Sequence, residues 1–218
     1  MTLNRRPPTD PSDALAQYRR RAAVYDLELA LFEPVRQRAI ERLGLQTGEV
    51  AFDVGCGTGL SLALLQKGVG AQGHIVGIEQ SPEMMALASQ RMAQQDWRNV
   101  TLLQTPAESA PFSHRGDAAL FHFTHDILRA PRALAHVINH LRPGARVVAC
   151  GLQWASPWLW PVNGLVLPAA LHSVSSLEGL DRPWSLLEAL VDVQSVETLW
   201  LGAVYVARGV VPRKRRPK

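Results

Sequence analysis

From Val50 onward the chain alternates short, almost wholly apolar runs with stretches whose apolar residues return every three or four positions. The short runs are Val50–Val54, His74–Glu79, Val100–Gln104, Ala118–Phe123 and Ala145–Gly151. The periodic stretches between them predict helices over Leu60–Lys67, Pro82–Gln95 and Ala130–Leu141. Strands that are apolar on both sides, separated by helices, predict a parallel sheet covered on both faces. Upstream, a helical pattern starts at Asp13 and includes Ala14, Leu15, Tyr18, Ala22, Tyr25 and the run Leu27 to Leu31. A second helix over Pro34–Leu43 shows the apolar face Val35, Ala39, Ile40 and Leu43, and Gly44 stops it. At the far end, Val193–Trp200 and Ala203–Val211 are strand-like with only a short Gly202 turn between them, so they should pair antiparallel. The fold class is therefore α/β: a doubly wound, Rossmann-like, seven-stranded sheet, mostly parallel with a C-terminal antiparallel hairpin.

The boundaries follow from the same pattern. Residues 1–12 are a Pro- and Arg-rich lead-in expected to be disordered, 13–211 form one domain, and 212–218 are a basic tail. Within the domain, residues 154–190 break the alternation. They carry Trp154, Trp158, Trp160 and Trp184 together with four prolines, and read as an apolar insertion. Hydrophobic residues make up 47% and charged residues 19%, enough for a sizeable core and against wholesale disorder. The net charge is +4, but the tail alone contributes Arg213, Lys214, Arg215, Arg216 and Lys218, so the body is about neutral. A solvated end is the simpler reading of such a tail; peripheral membrane contact is the sharper one. No apolar stretch reaches spanning length and the N-terminus has no signal-peptide core, which with two separated cysteines, Cys56 and Cys150, leads us to expect a cytoplasmic protein with reduced thiols.

The chemistry concentrates in Asp53-Val54-Gly55-Cys56-Gly57-Thr58-Gly59, where a buried strand runs into a glycine-rich turn and then a helix. Glycines permit positive φ and close approach of a ligand, and such a turn is expected to expose backbone N–H groups. Nicotinamide-dinucleotide-binding proteins have similar loops, so the glycines alone do not decide the ligand. Asp53 does: a carboxylate two residues before the first glycine is awkward for a pyrophosphate and suits a cationic amino-acid ligand. Glu79 ends the next strand, where an acid can accept both hydroxyls of a ribose. Ser81-Pro82-Glu83 then opens the following helix with an N-cap and a Pro at its first position.

These residues resemble the class I S-adenosylmethionine-dependent methyltransferase family. Asp53–Gly59 is similar to its first motif and Gly77–Met84 to its second. Asn99-Val100-Thr101 with Thr105-Pro106-Ala107-Glu108 looks like the adenine-holding segment, and Leu141–Ala145 like the turn into the fifth strand. The resemblance implies S-adenosylmethionine as cofactor. It implies that Gly55, Gly57 and Gly59, with Cys56 and Thr58, wrap the methionine part and that Asp53 meets its amino group. Glu79 would bind the ribose, Gln80 would stack beside the adenine, and Ala107 and Glu108 would flank the adenine amino group. Phe121 and His122, at the end of the fourth strand, would also touch the cofactor. The family usually has Asp where this chain has Pro106, so the adenine contact must come from Ala107 or Glu108.

Tyr18 and Tyr25-Asp26 resemble the N-terminal signature of the quinone- and phospholipid-type branch, which would put Tyr25 on the site; a core tyrosine on an amphipathic helix is the alternative. His125 and Asp126 follow the fourth strand, where ligands of open α/β sheets sit. They could orient the methyl acceptor or remove its proton; equally, Asp126 could cap the next helix and His125 be a loop residue. Their spacing is not a zinc pattern, so no metal is expected. The tryptophan-rich insertion is expected to form a lid lining the acceptor pocket. The resemblance thus implies methyl transfer to a small, hydrophobic or aromatic acceptor, by a monomer or homodimer. A phospholipid acceptor at the membrane surface, or binding without catalysis, are the alternatives. The near-neutral body argues against nucleic acid as partner.

Overall fold

The computed structural model describes residues 32–173 and 177–213. The helix expected from Asp13, with Tyr25, and the tail beyond Arg213 lie outside the described residues. Thirteen elements follow in chain order among the described residues. They are α1 (Glu33–Leu43), β1 (Val50–Val54), α2 (Leu62–Val69), β2 (His74–Glu79), α3 (Pro82–Gln94), β3 (Val100–Gln104), β4 (Gly116–His122), α4 (His125–Leu128), α5 (Pro131–Asn139), β5 (Leu141–Leu152), α6 (Trp160–Ser173), β6 (Asp192–Leu199) and β7 (Val204–Val210).

The seven strands make one sheet in the order β3-β2-β1-β4-β5-β7-β6. Neighbours from β3 to β5 are parallel; β7 runs antiparallel to both β5 and β6. The chain steps outward from β1 to β3, then returns to the other side of β1 for β4. That reversal leaves a crevice at the carboxyl ends of β1 and β4, the place where open α/β sheets bind ligands.

Because successive strand residues face opposite ways, each central strand feeds two cores. Phe52, Phe121 and Val147 join Leu134 and Val137 of α5 on one face. Ala51, Leu120 and Val148 join Val35, Ala39 and Leu43 of α1 and Leu62 and Leu65 of α2 on the other. Local signals fix the ends of the helices. Gly44 adopts φ 62° and donates its N–H to the carbonyls of Ile40 and Glu41, closing α1. The Ser81 hydroxyl accepts from the Met84 N–H and opens α3.

Several boundaries differ from those the sequence predicts, by up to four residues. The first helix after the glycine loop starts at Leu62 rather than Leu60, because the turn runs on through residue 61. The next-to-last crossover helix ends at Asn139 and β5 begins at Leu141, which pairs with Gly116. The insertion after β5, expected as an apolar lid, contains a helix, α6.

Candidate functional site

The crevice beyond β1 and β4 opens into a cavity of about 500 Å³, a size typical of small-molecule sites. Its floor is the glycine turn. Gly55, Gly57 and Gly59 all have positive φ, at 73°, 56° and 80°. A side chain at Gly55 would sit 2.4 Å from Thr124 Cγ2, whereas one at Gly57 would meet nothing within 4 Å. Gly55 is thus glycine so that the loop after β4 can close in, and Gly57 so that the floor stays open. The turn's N–H groups are not presented as freely as the sequence suggests. Those of Gly55 and Cys56 both donate to the Ile78 carbonyl, that of Gly59 to the Cys56 carbonyl, and that of Gly57 to Glu79 Oε2 at 3.1 Å. A pyrophosphate would find few donors here.

Asp53 ends up on the floor because β1 carries it to the crevice, level with Gly77 on one side and Leu120 on the other. It is 1% exposed and its Oδ2 has no hydrogen-bond partner. Burial raises its carboxyl to a pKa of about 7, against the pull of the Arg36 charge; Glu79 pushes the same way as burial. Arg36 comes from α1, is 2% exposed, pairs with Glu33 one turn earlier and leaves its Nε without a partner. Glu79, at the end of β2, holds the turn together: its other oxygen accepts from the Ser81 N–H at 2.8 Å. Gln80, Met84, Thr105, Ala107 and Glu108 continue this side of the wall.

The opposite wall is the segment after β4. Phe123 has φ 55°, a conformation L-residues rarely adopt, and its ring packs edge-on against Phe32 with centroids 4.6 Å apart. His122 lines the cavity with its Nε2 buried and unpartnered. Burial, with Arg36 adding to it, lowers its pKa to about 3, so the ring is neutral. His125 is buried, and its Nε2 lies 3.0 Å from the Glu178 carbonyl. A carbonyl can only accept, so Nε2 carries a proton, and in the neutral ring it is Nδ1, which has no partner, that holds the lone pair. Asp126 is exposed on the cavity rim inside the first turn of α4, whose N-cap position is Thr124.

Unpartnered polar atoms gather here. Seven buried side-chain polar atoms lack a hydrogen bond among the described residues, and five belong to residues that line this cavity: Arg36 Nε, Asp53 Oδ2, His122 Nε2, Thr124 Oγ1 and His125 Nδ1. An orphaned buried polar group costs about 1–3 kcal/mol, so five in one crevice are the mark of a site that a polar ligand completes. Both cysteines are poor nucleophiles. Burial, reinforced by Asp53 and Glu79, raises the Cys56 thiol, and burial pushes Cys150 up to about 12.

The structure therefore brings Asp53, Gly55, Cys56, Gly57, Thr58, Glu79, Gln80, Ala107, Glu108, His122, His125 and Asp126 to one cavity. Gly59 and Phe121, expected there, are not on its wall. Gly59 is where the turn packs on α3, its would-be side chain 3.3 Å from Ala88, and Phe121 points from β4 into the core with Phe52 and Leu134. Nor does any of Trp154, Trp158, Trp160 or Trp184 line the cavity. Trp184 packs against Tyr205, Trp154 lines a separate groove, and Trp158 and Trp160 face solvent. Arg36 and Thr124 were not anticipated. Arg36 did carry a signal: it shares the i, i+3, i+7 stripe with Ala39 and Leu43, so its charge had to be buried.

Comparison with known proteins agrees with this geometry. Residues 51–144 match the family model described as a methyltransferase domain. The aklanonic acid methyltransferase DauC of Streptomyces sp. (strain C5) is 31% identical over 78% of this chain and 77% of its own length. A 2-phytyl-1,4-naphtoquinone methyltransferase of Thermosynechococcus vestitus is 29% identical over 80% of this chain and 82% of its own. Among solved structures, a SAM-dependent methyltransferase from Aquifex aeolicus superposes with a TM-score of 0.63, covering 84% of this chain and 92% of its own. At 22% identity it speaks for the fold alone.

Proposed function

The chain belongs to the class I S-adenosylmethionine-dependent methyltransferase family, and on that premise we propose that it methylates a small, hydrophobic or aromatic acceptor at the His125 wall of the cavity. S-adenosylmethionine, when bound, supplies the methyl group on a carbon already activated by its sulfonium. The residues present fit this cofactor. Its amino-acid end carries an ammonium and a carboxylate, and the floor offers an unpartnered carboxylate oxygen on Asp53 and an unpartnered N–H on Arg36. Glu79 keeps lone pairs on both oxygens for the ribose hydroxyls, beside its bonds to the turn. Gln80, Ala107 and Glu108 would hold the adenine. Gly57 leaves the floor open for close approach.

On the acceptor side the chain's own chemistry is modest. Neutral His122 and the Thr124 hydroxyl can orient an acceptor oxygen. His125 Nδ1 can take a proton from a hydroxyl or an acidic carbon, with Nε2–H anchored on the Glu178 carbonyl. Closing the site excludes water and fixes the approach line. The gathering of orphaned polar atoms in one cavity carries this reading. The relatives' names point the same way: one acts on a phytylated naphthoquinone and the other on aklanonic acid, both small molecules. The test is transfer of labelled methyl groups from S-adenosylmethionine to a panel of aromatic hydroxyl and carbon-acid acceptors, run beside protein and RNA. Label in the small aromatic compounds alone is expected. Label in the macromolecules instead would overturn the reading.

A further inference from the structure

From Val147 to Leu177 the chain contains no Asp, Glu, Lys or Arg. That stretch ends β5, makes the turn at Pro157–Leu159 and forms α6. α6 is apolar nearly all round, yet within the part whose side chains are described only Val166 is buried, with Ala170 one turn on. Its start is pinned by Asn163, whose side chain bonds both the N–H and the carbonyl of Ala155, at 2.8 and 3.1 Å. The outer side is left to water: Trp158 is 91% exposed and Trp160 74%, with Leu165 and Leu167 exposed beside them. The β6–β7 turn extends the same surface. Trp200 and Leu201 both have positive φ, followed by Gly202, and both side chains are exposed. Leu159 and Leu201 line one groove, so the two pieces are continuous. Two strained non-glycine residues in succession cost about 1–3 kcal/mol each and serve here to turn apolar side chains outward.

We propose that α6 and the β6–β7 turn form a docking face for the surface of a lipid bilayer, seated by insertion of Trp158, Trp160 and Leu201. Three observations favour a bilayer as the occupant. The face is uncharged over its whole helix, so the helix itself offers no salt bridge to a protein partner. It presents three tryptophans, the residue that prefers the lipid headgroup boundary. And α6, at 14 residues, is about 21 Å long, too short to span but suited to lie in the interface. No described helix is long and apolar enough to cross a membrane.

The face adjoins the cavity. The Trp200 ring is 5.1 Å from Phe32, Phe32 is 4.6 Å from Phe123, and Phe123 lines the cavity wall. A lipophilic acceptor could pass along these rings without crossing water. The described chain ends away from this face, at Arg213. In the β5–β7 ladder Leu152 and Val204 stand at the cavity end, while Arg146 and Val210 stand six residues away, about 20 Å at strand rise, and Arg213 lies beside Gly144. Docking through this uncharged helix is apolar and not electrostatic.

The experiment is sedimentation of the full chain with vesicles of phosphatidylcholine alone, at low salt and at 0.5 M salt, with sedimentation velocity of the lipid-free protein alongside. The expected result is binding at both salt levels, with a blue shift of tryptophan fluorescence. Trp158→Ser/Trp160→Ser should lower the partition coefficient at least about tenfold without changing the melting temperature, and removing residues 214–218 should leave it unchanged. No binding of the unaltered chain, binding that survives the double substitution, or binding lost with salt or with the tail would each overturn the proposal. So would a dimer that the double substitution dissociates, since the occupant would then be a second copy of the chain.

Discussion

Asp53 shows most plainly how one residue couples stability to binding. Its folded-state pKa, raised by burial to about 7, means that the folded protein holds this proton more tightly than the unfolded chain does. Its contribution to stability is therefore most favourable below pH 4 and declines as pH rises toward 7, by up to about 4 kcal/mol. Asp53→Asn should flatten this slope and make the ligand-free protein more stable than the parent above pH 7, as thermal melts across pH would read. Ligand affinity should move oppositely. An ammonium group seated on Asp53 favours the carboxylate, so S-adenosylhomocysteine should bind more tightly as pH rises from about 5 to 7, by up to about tenfold per pH unit. That rise should vanish in Asp53→Asn; a rise that persists would assign it to another group. His125 makes a separate prediction. His125→Ala should lower turnover about 10²–10⁴-fold if Nδ1 takes the acceptor proton, with little effect on S-adenosylhomocysteine affinity. Turnover within about threefold of the parent would leave His125 as the tie to Glu178 and nothing more. At this scale the sequence was informative where a residue type is unusual for its position, as with a carboxylate at the end of a buried strand. For Arg36 it showed only that a charge sits on the buried stripe of α1, since its meaning depends on which side of that helix faces the crevice.

At the scale of elements, the glycine turn offers a contrast between two residues that look alike in the sequence. A methyl group at Gly55 meets Thr124 and Ile127 and must also tolerate positive φ; at Gly57 only the φ cost applies. Gly55→Ala should therefore cost about 2–5 kcal/mol and Gly57→Ala about 1–2 kcal/mol, measured by denaturant unfolding. Gly57→Ala should nonetheless weaken cofactor binding, because its methyl group would project into the cavity. Equal stability losses would mean that the loop after β4 yields easily. β1, β2 and β3 were legible to the residue, since Gly, Pro and Asn punctuate both ends of each apolar run. α6 was not. A helix that is apolar all round has no face for periodicity to reveal, and an apolar segment reads equally well as a pocket lining or as an exposed surface. Only the packed structure shows that Val166 and Ala170 take the inward positions and the tryptophans do not.

For the whole molecule, the sheet order explains why so little catalytic machinery is needed. Placing β4 beside β1 brings a carboxylate, an open floor and the His122–Asp126 segment to one crevice, from stretches of chain about seventy residues apart. Strand order itself was not legible in the sequence, because apolar runs fix which segments are strands but not which lie side by side. The central claim is that this crevice binds S-adenosylmethionine through Glu79 and the glycine turn. The most direct test is calorimetric titration of S-adenosylhomocysteine into the parent chain and into Glu79→Ala. Loss of a charged hydrogen-bonding group is worth about 1.5–3 kcal/mol, so the dissociation constant should rise about ten- to a hundredfold in the variant. An unchanged dissociation constant in a folded Glu79→Ala protein would contradict the account.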